Sequence, residues 1–127
     1  GALAVALTGS TAGERIDREN LWPDAVRKFE RASALSDLAE RVLAIEDRDA
    51  AQEHVRGALT SLARGLLLAD GTFPLARAEL PEQLSAIGCR ELGEWLSRCI
   101  HEQLSFDALT HALAAERLAL ASVRRRS

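Results

Sequence analysis

Between Asp49 and Leu84 the chain reads DAAQEHVRGALTSLARGLLLADGTFPLARAELPEQL, and its first half carries the strongest pattern of the sequence. Ala51, Val55, Ala58, Leu59, Leu62, Ala63, Leu66 and Leu67 recur at steps of three and four. Gln52, Glu53, Arg56, Thr60 and Arg64 fall on other faces. The spacing predicts a long helix with one buried side. Beside that side runs a lane of small residues, Ala50, Gly57, Ser61 and Gly65, with His54 among them, which would admit a neighbouring helix at short range. Asp70-Gly71 supplies a helix stop, because glycine takes the left-handed conformation without a Cβ clash. Pro74 holds Phe73 extended and is predicted to open a short helix through Ala78; Pro81 repeats the device.

The flanks follow from the same reading. Ala2 to Leu7 is a short apolar run followed by Thr8-Gly9-Ser10-Thr11-Ala12-Gly13, which predicts a buried strand leading into a glycine turn. Pro23 suits the first turn of a helix. Its apolar positions, Val26 and Phe29, shift phase to Leu35, Leu38, Ala39, Val42 and Leu43, so a break near Ser33 to Ser36 is expected, with Ser36 capping a second segment. After Gly88, Leu92, Leu96, Cys99 and Ile100 face inward on a helix running to about Gln103, with Trp95 at its rim. Ser105 caps a last helix whose apolar side carries Phe106, Leu109, Leu113, Leu120 and Val123. Short loops make neighbours antiparallel. The expected fold is therefore mainly α: an antiparallel bundle of four main helices over residues 21–127, with one N-terminal strand and its turn over residues 1–20.

Composition narrows the function classes. At 127 residues the chain suits one domain, and with 47% hydrophobic but only 4% aromatic residues its core must be built from Leu, Ala and Val. A net charge of −3 gives no bulk attraction to nucleic acid, and no apolar run is long enough for a membrane span. Arg124-Arg125-Arg126 reads as a solvated helix end or as a phosphate-binding tail. Cys89 and Cys99 form no disulfide framework and no zinc spacing, which favours a reducing, cytoplasmic setting.

Three groups of residues could carry chemistry. Gly9 and Ser10, at the end of a strand, could present backbone N–H groups and a hydroxyl to a nucleotide phosphate, or form an ordinary loop. Asp17 and Glu19 alternate as they would on one face of a strand and could hold Mg²⁺, or lie in a solvated loop. Arg48 and His54 could converge on a scissile phosphate, the cation stabilising charge and the imidazole moving a proton, or be a capped helix start and a packed histidine.

ALAVALTGSTA, from Ala2 to Ala12, resembles the strand and Gly-Ser turn that open the catalytic domain of minimal nucleotidyltransferases related to the aminoglycoside nucleotidyltransferases. The stretch from Ala58 to Leu84 resembles the helical C-terminal domain of such proteins. The resemblance implies that Gly9 and Ser10 match the nucleotide-phosphate turn and that Asp17 and Glu19 are the nearest match to the metal-binding acids. It also implies Mg²⁺ and an NTP as cofactors, with a small-molecule or protein acceptor bound beside the nucleotide. The family places its acids further on, in an apolar strand followed by more sheet, whereas this chain passes straight to Leu21-Trp22-Pro23. An opening strand joined to the helical domain, without most of the catalytic sheet, is what this implies. Arg48 to His54 also resembles the Arg-x(4–6)-His motif of HEPN ribonucleases, which gives an enzyme alternative. A third reading is a non-catalytic module forming a homodimer through the Gly57, Ser61, Gly65 lane.

Overall fold

In the computed structural model, which describes the backbone of residues 18–126, the protein is mainly helical. Five α-helices follow one another: α1 (Arg18–Ala44), α2 (Arg48–Asp70), α3 (Leu80–Ala86), α4 (Arg90–His101) and α5 (Phe106–Arg126), with a 3₁₀ turn at Arg77–Glu79 before α3. The strand expected over Ala2 to Leu7 lies outside the described residues. Helical structure is in place by Arg18, before the boundary expected at residue 21.

Helix α2 is the central rod. Ala51, Val55, Ala58, Leu59, Leu62, Ala63 and Leu67 are buried as the periodicity predicts, and Gln52, Ser61, Gly65 and Leu68 are buried as well. Asp47 caps its start by accepting the Ala50 N–H at 3.1 Å. Its end is a Schellman closure: Gly71, at φ 86°, donates to the Leu68 carbonyl, and Thr72 donates to that of Leu67.

The expected break in α1 does not occur: the helix runs unbroken from Arg18 to Ala44, with Pro23 inside it rather than in its first turn. Ser36 caps nothing; its hydroxyl donates to the carbonyls of Ala32 and Ser33 within the helix. The apparent phase change came from passing over Ala25, Ala32 and Ser36. Ala25, Phe29, Ala32, Ser36 and Ala39 are the buried positions of α1, spaced by four, three, four and three residues. These small contacts seat α1 against α2, with Leu35 beside Gly57 and Phe29 beside Gly65. Numbers fall along one helix as they rise along the other, so this pair is antiparallel. The lane predicted on α2 thus receives α1 of the same chain.

The elbow also differs from expectation. Pro74 opens no helix: residues 73–76 are irregular, and only Pro81 sits in a helical first turn. Gln83 explains why this segment holds its shape. Its side chain accepts the Leu75 N–H and donates to the Phe73 carbonyl, both at 2.9 Å, satisfying backbone groups that a helix would have paired. Gly88, at φ 88°, then turns the chain into α4.

Helix α4 buries Leu92, Leu96 and Cys99 and ends at His101, short of Gln103; Trp95 is half-buried, with the Arg98 guanidinium over its ring. Ser105 caps α5 by accepting the Ala108 N–H. Leu109, Leu113, Leu120 and Val123 are buried as expected, but Phe106 is exposed and Glu116 takes a place in the core stripe.

Candidate anion-binding groove

Along α2, Arg56, Gly57, Thr60, Ser61 and Arg64 lie at steps of one, three, one and three residues and share one face. That face borders an open groove of about 450 Å³, whose opposite wall is Arg31 and Leu35 of α1 and which Arg77 of the elbow closes. His54 lines it too, and Glu53 is its single acid. Four guanidinium groups therefore surround one depression, two held on the central rod, one on α1 and one on the elbow.

None of these four forms an ion pair among the described residues. The arginine ion pairs lie elsewhere: Arg27 with Asp24, Arg48 with Asp49, Arg90 with Glu94, Arg98 with Glu102, and Arg117 with both Asp37 and Glu40. Arg64 is the most constrained, because its Nε is buried with no acceptor in reach. An N–H in that position is unfavourable until an acceptor is brought to it. Gly57 leaves the floor low, with Leu35 the nearest side chain to where a Cβ would stand. Thr60 contributes no free hydroxyl proton, since it donates to the Arg56 carbonyl.

The predicted site residues are scattered relative to this groove. Gly9, Ser10 and Asp17 lie outside the described residues, and Glu19 falls in the first turn of α1 rather than in a strand. Among the described residues no group of three His, Cys, Asp or Glu side chains stands close enough to hold a metal ion. Arg48 and His54 are not brought together: His54 lines the groove, whereas Arg48 faces the α4–α5 connection. There Arg48 donates to the Gln52 side chain and to the Leu104 carbonyl, each at 3.0 Å, and pairs with Asp49. Six residues of helix turn the two side chains about 120° apart, which is why the spacing does not converge. Burial pushes the Cys99 thiol up to about 11, which holds it in the protonated form near neutral pH.

Sequence reasoning passed over Arg31, Arg56, Arg64 and Arg77. Arg56 and Arg64, eight residues apart, share a helix face, and that was legible; that Arg31 and Arg77 join them depends on the α1–α2 register and the elbow. No family model matches the chain, and no characterised protein or solved structure is significantly similar to it.

Proposed function

We propose that this chain is the nucleotide-holding helical part of a nucleotidyltransferase-like protein, an antiparallel bundle of four main helices that grips the phosphates of an NTP. The observation that supports this reading is the set of four arginines around one groove that form no ion pair among the described residues, with the Arg64 Nε lacking an acceptor there. Guanidinium groups bind phosphate oxygens through paired, charge-assisted N–H donors, and a recessed site strengthens each such bond relative to open water. The groove is open to solvent, which leaves room for a small-molecule or protein acceptor to approach. Nucleotidyl transfer itself is assigned to a catalytic sheet of the kind whose opening Ala2 to Ala12 resembles; the helical part supplies binding.

Calorimetric titration of ATP into the full chain at low salt tests the reading. Binding with a Kd below about 1 mM is expected, weakened about tenfold or more in the Arg56→Ala/Arg64→Ala double variant, whose helix content by circular dichroism is unchanged. Absence of ATP binding, or equal affinity in the double variant, would overturn it.

A further inference from the structure

We infer that the groove recognises the polyphosphate of its ligand and is indifferent to the base, so that any nucleoside triphosphate, or inorganic triphosphate alone, occupies it. The inference rests on the nucleotide-holding reading above and narrows it to a ligand class.

The lining carries the argument. Arg31, Arg56, Arg64 and Arg77 against Glu53 leave a formal surplus of three positive charges, which suits a multiply charged anion better than a monophosphate. No Phe, Tyr or Trp lines the groove and His54 is its single ring, so the large aromatic faces that supply most base-stacking affinity are absent from it. The aromatic side chains Trp22 and Phe29 line a different cleft, of about 280 Å³, which shares no residue with the groove. The amide side chains of Asn and Gln, which read base edges with a paired donor and acceptor, are absent from the groove, and only His54 and Ser61 combine the two roles there. Guanidinium donors dominate the lining, and they select for anionic oxygen.

Competition calorimetry on the full chain distinguishes the two layers of the proposal. ATP, GTP, CTP and UTP are expected to bind within about threefold of one another, because no base-specific hydrogen bond separates them. Sodium tripolyphosphate should displace ATP, and AMP should bind about tenfold or more weakly than ATP as the outer phosphates are lost. If ATP binds through Arg56 and Arg64 but one base is preferred more than about tenfold, or tripolyphosphate fails to compete, base indifference is wrong while the nucleotide-holding reading stands. If no triphosphate binds, both are overturned.

Discussion

The side chain of Gln52, on the central helix, accepts the backbone N–H of Leu104 at 3.0 Å, across the turn that joins α4 to α5. The same amide donates to the carbonyls of Cys99 and Glu102, so one buried side chain closes the end of α4 and fixes where α5 begins. Replacing it with a residue of similar size and no hydrogen bonds leaves these backbone groups without partners. Gln52→Leu is expected to destabilise the fold by about 2 to 4 kcal/mol, read from urea unfolding, with little change in ATP affinity. A loss below about 0.5 kcal/mol would show that water replaces the amide.

Glu116 gives the stability a definite dependence on pH. Its side chain is fully buried on α5 and neither carboxyl oxygen has a hydrogen-bond partner; Ser36 lies beside it but directs its hydroxyl to Ala32 and Ser33. Burial raises the carboxyl from its ordinary 4.5 to about 7, against the opposing pull of Arg117 and Arg124. The folded chain therefore holds this proton more tightly than the unfolded one. Its contribution is fully present below pH 4.5 and is lost as the pH rises through 7. Raising the pH across that window should remove about 3 kcal/mol of stability, and Glu116→Gln should flatten the profile and be the more stable protein at pH 8. Parallel profiles for the two proteins would contradict the assignment.

Two glycines of the α2 lane should respond differently to alanine. A Cβ on Gly65 would stand 2.5 Å from the Phe29 ring, whereas one on Gly57 would meet only the Leu35 methyl, at 3.2 Å. Alanine in a helix interior gains about 1 kcal/mol over glycine, but overpacking against a buried ring costs about 1 to 3. Gly65→Ala is thus expected to lower the melting temperature, and Gly57→Ala to leave it unchanged or raise it. The reverse order in thermal melts would mean that α1 does not lie in the lane as described.

The elbow should depend on Gln83 more than on Pro74. Gln83→Ala removes both bonds that hold residues 73–76 and is expected to speed amide exchange at Leu75 by about tenfold, while Pro74→Ala leaves it little changed. Unchanged exchange in Gln83→Ala would show that packing alone sets the elbow.

Much of the fold was legible where large apolar residues repeat, as in α2, α4 and α5. Where small residues make the contacts it was not. Ala25, Ala32, Ser36 and Ala39 carry the α1 seam, and a reading that follows Leu, Val and Phe sees a break where the helix is continuous. Gln52 was misplaced, and Glu116 passed over, for a related reason: polar side chains in a periodic pattern read as solvent-facing unless a buried partner, or a raised pKa, accounts for them. The groove needed tertiary structure, since its arginines come from two helices and an elbow whose register no short spacing reveals.

Nuclear magnetic resonance of arginine side-chain Nε–H groups during an ATP titration tests the central claim most directly. The Arg31, Arg56, Arg64 and Arg77 signals should shift together and saturate at one ligand concentration. Shifts confined to Arg124 and Arg125, or spread evenly over all arginines, would contradict a built anion site in the α1–α2 groove.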